Sequence, residues 1–194
     1  MAVDGVATRF VSRMLDAYVD DIDLRIEHVQ EHPPRLDLQP FSASRTPAVV
    51  WRSDDDRVVV EAVAVHHEPV PEAVAYRVRT PAGVVVVSGD TRVCDEVRDL
   101  AAGADVLVHE ACRTTTMQGL FAGTAFERIF DYHADTVALG ALADDAGVGH
   151  LVLTHLIPPP ANDTDAAGFA DDVRRGGYTG RLTVGADLDT VEIG

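Results

Sequence analysis

The stretch that decides the fold is residues 84–110, VVVVSGDTRVCDEVRDLAAGADVLVHE. It contains two predicted strands, and each of them ends beside chemically active side chains. Its opening run of valines is too short for a helix and rich in β-branched side chains, which predicts a buried strand. The turn Ser88-Gly89-Asp90-Thr91 then ends this strand. The Asp90 carboxylate is therefore expected at the C-terminal edge of a sheet.

The second half of this stretch repeats the arrangement. A helix is predicted from Val93 to Ala102, because Gly103 supplies a stop signal directly after it. A second strand, Asp105 to Val108, leads into His109 and Glu110. Ligands and metals usually bind at the edge of a parallel or mixed sheet where the strands end, so both strand ends indicate a site.

Length, composition and charge limit the classes of protein to which this chain can belong. The 194 residues, 46% of them apolar, are enough for one domain with a substantial core. A formal net charge of −16 argues against binding nucleic acid through a general basic surface, because a polyanion would be repelled. Two cysteines, no secretory start and no long apolar run predict a cytoplasmic protein without a disulfide framework or membrane span.

The remaining chain predicts helices around a run of strands. Apolar residues at spacings of three and four indicate one amphipathic helix from Val6 to about Glu27. Residues 113–130 are less legible: a loop followed by a helix is expected, with the threonines at 114–116 weakly favouring irregular structure. The other predicted helices are His133 to Asp145 and Ala166 to Arg174, and the other predicted strands are Ala48 to Arg52, Arg57 to Val65, Ala73 to Arg79, Leu151 to Thr154, Arg181 to Val184 and Thr190 to Ile193.

Three ligand-type residues each follow a predicted strand, with a proline or glycine turn close by: His67, Asp90 and His155. Imidazole nitrogens and carboxylate oxygens bind zinc-like ions, and a bridging carboxylate commonly holds two such ions together. A histidine at a strand end can equally be an ordinary surface residue. The pattern nevertheless predicts a metal site built from these three residues.

Several segments resemble the metallo-β-lactamase superfamily, in particular its ribonuclease Z-like branch. They occur in the family's order: VHHEPVPEAVAYRV (65–78), SGDT (88–91), GADVLVHEA (103–111), HADTVALGALADDAGV (133–148) and LVLTHLIPP (151–159). The resemblance implies an α/β fold, the αββα sandwich of that family. It also implies that residues 1–194 form a single domain corresponding to the family's C-terminal portion.

The resemblance also implies a role for individual residues. His67 resembles a single metal ligand after the family's first hairpin, with His66 the less favoured candidate for that place. Asp90 resembles the aspartate that bridges both ions, and His155 resembles the last ligand. His133 is similar to the histidine, not itself a ligand, that donates a proton to the leaving oxygen.

His109 and Glu110 are similar to residues that orient the ligands or the proton-donating histidine, although a structural role for His109 stays open. In the family, two zinc ions lower the pKa of a shared water and polarise a phosphoryl or ester oxygen. The class of reaction implied is zinc-dependent hydrolysis, by a ribonuclease Z-like phosphodiesterase or a related ester hydrolase such as an arylsulfatase.

The family's remaining ligands lie in an HxHxDH motif that this sequence does not contain. The N-terminal half-sheet of the sandwich is therefore expected to be incomplete, with bare apolar surface that favours association between copies or poor solubility. High zinc affinity normally needs three or four protein ligands for each ion, so this chain is expected to bind metal weakly or not at all and to be inactive. A non-catalytic remnant or interaction module without metal is the alternative.

The spacing between two candidate ligands bears on the substrate. Only 22 residues, 68–89, separate His67 from Asp90, which leaves room for one strand pair and its turn. A long tRNA-binding arm of the kind often found there in bacterial ribonuclease Z does not fit. Together with the acidic charge, this disfavours tRNA and favours a smaller phosphodiester or ester, such as an aryl sulfate.

Overall fold

The computed structural model describes residues 1–29, 32 and 36–193. The chain divides into two compact units, Met1–Ala43 and Ser44–Gly194. The candidate residues named above all belong to the second unit. Among the described residues, no helix is long and apolar enough to cross a membrane.

The first unit contains two short strands and a broken helix. Strand β1 (Ala2–Val3) pairs in parallel with β2 (Pro40–Phe41). The single helix predicted from Val6 to about Glu27 is wrong in its continuity, because the structure has α1 (Val6–Arg13), a 3₁₀ turn (Asp16–Tyr18) and α2 (Val19–Val29). Around the break the backbone hydrogen bonds tighten to i→i+3, as in Met14 N–H to Val11 O and Tyr18 N–H to Leu15 O.

The second unit is organised by one seven-stranded sheet whose spatial order follows the sequence. The first four strands pair antiparallel and the last four pair parallel, sharing the fourth strand. The strands are β3 (Ala48–Arg52), β4 (Val59–Ala64), β5 (Val74–Thr80), β6 (Gly83–Val87), β7 (Val106–Cys112), β8 (His150–Ile157) and β9 (Arg181–Val184).

Helices cover one face of this sheet and build the core with it. They are α3 (Asp95–Leu100), α4 (Thr114–Phe121), a 3₁₀ segment (Ala125–Asp131), α5 (Thr136–Asp145) and α6 (Asp163–Arg175). Inward side chains of β7 and β8, such as Leu107 and Leu151, join Val97, Leu139 and Phe169 from the helices in one fully buried cluster. Alternation along each strand directs every second side chain to the opposite face of the sheet.

That opposite face carries a row of apolar side chains across four strands. The residues Tyr76, Val87, Val108 and Val152 are paired neighbours on β5, β6, β7 and β8. Tyr76 and Val108 are half-buried, and Val87 is 38% exposed. Val152 is buried, at 8% exposed. Apolar side chains on both faces are typical of sheets with parallel strands.

The predicted α/β fold is confirmed, and most strand positions agree with the sequence patterns. Strands β7 and β8 run further than expected, so Glu110 and His155 lie within strands rather than after them. The segment predicted as strand Thr190 to Ile193 has no regular structure. The threonines at 114–116 begin helix α4, where irregular structure was expected, because Asp135 accepts a hydrogen bond from the Thr115 amide at 2.6 Å.

A buried carboxylate ties the helices to the end of β7. Asp172 on α6 is fully buried and accepts hydrogen bonds from Arg113, Thr116 and Thr136. A second guanidinium, that of Arg175, also donates to it. Because a buried charge is tolerated only when it is paired and hydrogen-bonded, this network fixes α4, α5 and α6 relative to one another.

Candidate metal centre

The candidate residues gather at one rim of the sheet, at the carboxyl ends of β4, β6, β7 and β8. His67 follows β4, and Asp90 follows β6. Glu110 lies near the end of β7, and His155 lies near the end of β8. Strands β6, β7 and β8 are parallel, and two antiparallel pairings give β4 the same direction as β6. Topology alone therefore brings these four residues to the same edge.

The turn that carries Asp90 depends on glycine. Gly89 has φ +63°, in the left-handed region that side chains rarely adopt, and a Cβ there would come within 2.8 Å of the Val74 carbonyl oxygen. The neighbouring Ser88 and Thr91 are buried, and the Ser88 amide bonds to the Val108 carbonyl at 3.0 Å. The loop is therefore anchored on both sides of Asp90, while the carboxylate itself is 43% exposed.

Two imidazoles face this carboxylate. The Nε2 atom of His67 lies 3.9 Å from Oδ2 of Asp90, and Nε2 of His155 lies 3.8 Å from the same oxygen. Both separations are too long for a hydrogen bond. They are within the roughly 4.2 Å that one ion can span with zinc–nitrogen and zinc–oxygen bonds of about 2.0–2.2 Å. The structure thus brings together the three residues singled out as metal ligands.

The position of His155 comes from an irregularity in β8. The pairing of β7 with β8 shifts register between Glu110 and Ala111, which face Thr154 and Leu156, so His155 has no partner on β7. Its φ is +43°, which is uncommon for a residue other than glycine. A bulge of this kind redirects one side chain out of the strand's alternation and is frequent beside functional sites. Here it leaves the imidazole 48% exposed, next to Asp90.

The hydrogen bond of His67 determines which of its nitrogens is available to a ligand. Its Nδ1 lies 3.3 Å from the backbone carbonyl oxygen of Tyr132. A carbonyl oxygen can only accept, so Nδ1 carries the proton in this contact. The other nitrogen, Nε2, faces Asp90. This is the arrangement in which a metal-binding histidine is oriented by a backbone carbonyl.

The side chain of Glu110 accepts hydrogen bonds from two loops of the site. Its Oε1 accepts hydrogen bonds from the Thr91 amide at 3.0 Å and from Nδ1 of His133 at 2.8 Å. Its Oε2 accepts from the Ala134 amide at 3.1 Å. Glu110 is 1% exposed and His133 is 8% exposed. One buried carboxylate therefore positions both the loop that carries Asp90 and the loop that carries His133.

His133 lies between the two other imidazoles. Its ring contacts His67 edge to face with centroids 5.0 Å apart and stacks on His155 at 5.4 Å. Because Nδ1 is engaged by Glu110, the Nε2 atom is the nitrogen left for a reacting group. In the described part of the chain, Glu110, His133 and His155 also have ligand atoms within 4.8 Å of one another. The hydrogen bonds already made by Glu110 and His133 favour a proton-holding pair over a metal site there.

His109 lies in the core and not at the rim that carries the other candidate residues. It is fully buried, belongs to the same strand face as Leu107 in the helix-covered core, and bonds through Nδ1 to the Glu110 carbonyl oxygen at 2.7 Å. Desolvation lowers its pKa, which keeps it neutral. Strand alternation places its ring on the opposite face from the Glu110 side chain, so the geometry favours the structural role over direct orientation of a ligand or of His133.

The neighbour of His67 is engaged in a separate cluster. His66 contacts Arg45 through Nε2 at 2.8 Å and Glu96 through the same atom at 3.2 Å. Its Nδ1 lies 3.4 Å from a guanidinium nitrogen of Arg92. The ring therefore has partners on both nitrogens, whereas His67 has one nitrogen directed at Asp90. Of the two candidates for that ligand position, the geometry favours His67.

The pH dependence of stability should reveal the Glu96 contacts. Desolvation raises the Glu96 pKa, but its backbone hydrogen bond, Arg45 and His66 outweigh this and lower it to about 2. A depressed carboxyl pKa stabilises the fold above the ordinary value of 4.5, and this stabilisation is lost as pH falls from there toward 2. We expect Glu96→Gln to lower the free energy of unfolding by about 1–3 kcal/mol at pH 7. This range is reduced because solvent screens the contact with the exposed Arg45.

Urea unfolding of both proteins at a series of pH values checks this expectation. The difference between the wild type and Glu96→Gln should shrink as the pH is lowered from neutral, because the wild-type carboxylate becomes protonated. Asp95→Asn, next to Glu96 on an exposed position of α3, is the control. A difference that is the same at neutral pH and at the lowest pH at which both variants remain folded would contradict the assignment.

Two relatives of this chain among known proteins are both named as ribonuclease Z. The chain is 34% identical over 187 residues to a protein named as a ribonuclease Z in Mycobacterium tuberculosis strain CDC 1551, and the match covers 94% of this chain and 79% of that protein. It is 34% identical to the ribonuclease Z of strain H37Rv, of which it covers 64%. No model of a known protein family matches the chain.

Solved structures share the fold of this chain. Human tRNase Z, short form, superposes with a TM-score of 0.55 at 17% identity, over 91% of this chain and 64% of that one. The metallo-β-lactamase fold protein YhfI from Bacillus subtilis gives 0.54 at 20% identity, over 84% of this chain and 60% of that one. The chain therefore corresponds to a little under two thirds of the length of these structures.

Proposed function

We propose, from the premise that the chain belongs to the ribonuclease Z family of metallo-β-lactamase-fold proteins, that it provides the C-terminal part of a metal-dependent hydrolase centre that cleaves phosphodiester bonds in RNA. One observation carries the proposal. Nε2 of His67 and Nε2 of His155 both face the same oxygen of Asp90, at 3.9 and 3.8 Å.

The donor set fits a zinc-like ion. Two imidazole nitrogens and a carboxylate oxygen are its usual ligands, and the Asp90 carboxylate lies between the two imidazoles. His67, Asp90 and His155 would hold the metal. When bound, the metal would supply a water of lowered pKa and a positive charge for a phosphoryl oxygen.

The proton chemistry falls to His133 and Glu110. Glu110 accepts from Nδ1 of His133 at 2.8 Å, which fixes the ring and sets a carboxylate beside any positive charge that forms on it. The Nε2–H of the charged ring can then donate to a departing oxygen at the same rim. His133 is 8% exposed, so the proton is held away from bulk water.

The described ligands do not make a complete two-metal site. Three residues are too few to give each of two ions the three or four protein ligands that high zinc affinity normally requires, and the sequence contains no HxHxDH motif. We therefore expect the 194 residues by themselves to bind metal weakly and to hydrolyse RNA poorly. The complete centre would need further ligands from another segment or another chain.

RNA is the substrate class that the relatives' names favour. The expectation of a small ester or aryl sulfate, drawn from spacing and charge, has no support among these relatives. The −16 net charge still argues against a general basic surface, so RNA would be bound locally at the rim. The family's arm for tRNA has no room between His67 and Asp90, which favours recognition of the RNA end near the reacting bond.

A chimera tests the proposal. The part of the M. tuberculosis ribonuclease Z that this chain does not match would be fused before Met1, and metal content would be measured together with cleavage of a pre-tRNA. We expect the chimera to gain zinc and to shorten the RNA, and the same chimera with His155→Ala to lose both properties. Bis(p-nitrophenyl) phosphate and an aryl sulfate serve as alternative substrates.

Two outcomes would contradict the proposal. A folded chimera that contains no more metal than the 194-residue chain would argue against the hydrolase centre and for the remnant without metal. A folded, metal-loaded chimera that hydrolyses the aryl sulfate and leaves RNA intact would argue against RNA as the substrate. Circular dichroism of each protein establishes whether it is folded.

A further inference from the structure

We propose that Arg92 and Arg45, on either side of His66, form a subsite for the phosphodiester backbone of an RNA substrate, next to the bond that the neighbouring centre would cleave. This inference rests on the proposed function and adds residues that recognise the substrate. It concerns local positive charge in a chain whose net charge is −16.

Backbone hydrogen bonds place Arg92 beside the candidate ligands. Arg92 is two residues after Asp90, and its amide bonds to the His66 carbonyl oxygen at 3.1 Å. The His66 amide in turn bonds to the hydroxyl of the buried Thr91 at 3.1 Å. These two bonds join the Asp90 loop to the end of β4, so Arg92 is held next to the residue that precedes His67 as well as close to Asp90 in sequence.

The Arg92 side chain is available for an anion. One guanidinium nitrogen lies 3.4 Å from Nδ1 of His66. Within the described part of the chain, no carboxylate oxygen lies within 4.0 Å of this guanidinium. A guanidinium is always charged and carries five N–H donors in a planar fork that matches phosphate oxygens, so most of its donors remain for a ligand.

Arg45 completes the pair from the other side of the same ring. Its Nη1 lies 2.8 Å from Nε2 of His66 and 2.7 Å from Oε1 of Glu96, and the side chain is 66% exposed. The Glu96 contact holds the guanidinium in place while leaving its outer edge open. The two guanidiniums therefore contact opposite nitrogens of one imidazole, where both can donate hydrogen bonds to phosphate oxygens.

RNA binding by the 194-residue chain tests this inference without requiring metal or catalysis. The probe is a fluorescein-labelled single-stranded RNA of about 12 nucleotides, and anisotropy is measured across about 50–200 mM salt. We expect Arg92→Ala and Arg45→Ala each to weaken binding several-fold at low salt. The slope of log K against log salt should become less negative by about 0.7 for each phosphate that the protein no longer neutralises.

The controls separate this subsite from general electrostatics. Arg92→Lys retains the charge and should keep most of the salt slope, while losing part of the affinity that depends on the planar fork. Arg57→Ala removes an exposed arginine at the other end of β4 and should bind RNA as the wild type does. Circular dichroism verifies that each variant is folded.

The inference is overturned if the wild type shows no salt-dependent RNA binding, or if Arg92→Ala and Arg57→Ala give the same affinity and slope. Its failure is distinguishable from failure of the proposed function. A chimera that binds zinc and cleaves RNA, but whose RNA affinity is unchanged by Arg92→Ala, would sustain the hydrolase and remove the subsite. RNA binding that depends on Arg92, with no metal bound by the 194-residue chain or by the chimera, would sustain the subsite and remove the hydrolase.

Discussion

Replacing Asp90 by alanine is expected to weaken zinc binding by at least about 100-fold, or about 2.7 kcal/mol. Asp90 provides the one carboxylate oxygen that both His67 and His155 face, so its loss leaves two imidazoles without the negative charge between them. Two neutral ligands, one of them 48% exposed, hold a divalent ion poorly. Even the weak affinity expected of the 194 residues should therefore fall out of the measurable range.

Competition with a chromophoric zinc chelator gives the affinity and the number of ions bound. Asp187→Ala is the matched control, because Asp187 is an exposed acidic residue that lines the same cleft as His155. This variant removes the same charge and should bind zinc as the wild type does. Equal stoichiometry and affinity for the wild type and Asp90→Ala would show that any bound metal is held elsewhere.

Replacing Glu110 by alanine should lower the free energy of unfolding by about 3–6 kcal/mol, more than the loss expected for Glu96→Gln. The substitution leaves three buried donors without an acceptor: the Thr91 amide, Nδ1 of His133 and the Ala134 amide. Each buried unpaired donor costs about 1–3 kcal/mol, less where water enters the space that is vacated. The loops carrying Asp90 and His133 should both loosen.

Urea unfolding followed by circular dichroism measures this loss. Glu110→Gln retains one acceptor oxygen and should lose about half as much as Glu110→Ala. Glu72→Ala, in the turn before β5, removes a carboxylate with no comparable buried network and should change the stability by less than about 0.5 kcal/mol. A Glu110→Ala protein as stable as the Glu72→Ala protein would refute the anchoring role given to this carboxylate.

The local patterns predicted the sheet well because each strand's apolar run is bounded by turn residues. Residues 48–52 form β3 as predicted, and β4, β5 and β6 differ from the predicted bounds by a residue or two. The turn Ser88-Gly89-Asp90-Thr91 placed Asp90 at the sheet's edge for the reason inferred, since Gly89 adopts a conformation that glycine favours. The parallel direction of β6, β7 and β8 then brought the candidate residues together.

Features that depend on distant contacts were not predictable in this way. The strand predicted from Leu151 to Thr154 leaves out His150, but His150 begins β8, is 5% exposed and bonds to Thr183 on β9 at 2.8 Å. Helix α4 begins at Thr114 because Asp135, some twenty residues later, caps it. The bulge that presents His155 depends on a register shift between two strands. None of these contacts leaves a periodic signal in the sequence.

The sheet also separates its two rims. The β5–β6 turn at Thr80–Gly83 and the start of β7 near Asp105 lie at the rim away from His67, Asp90 and His155, where Asp105 accepts from the Val84 amide at 2.7 Å. Burial raises the pKa of the Cys94 thiol and raises that of Cys112 to about 11, so both react slowly with maleimides. A cysteine introduced at the exposed Ala82 would therefore give a selective attachment point for a dye or a surface tether, without obstructing the reacting edge.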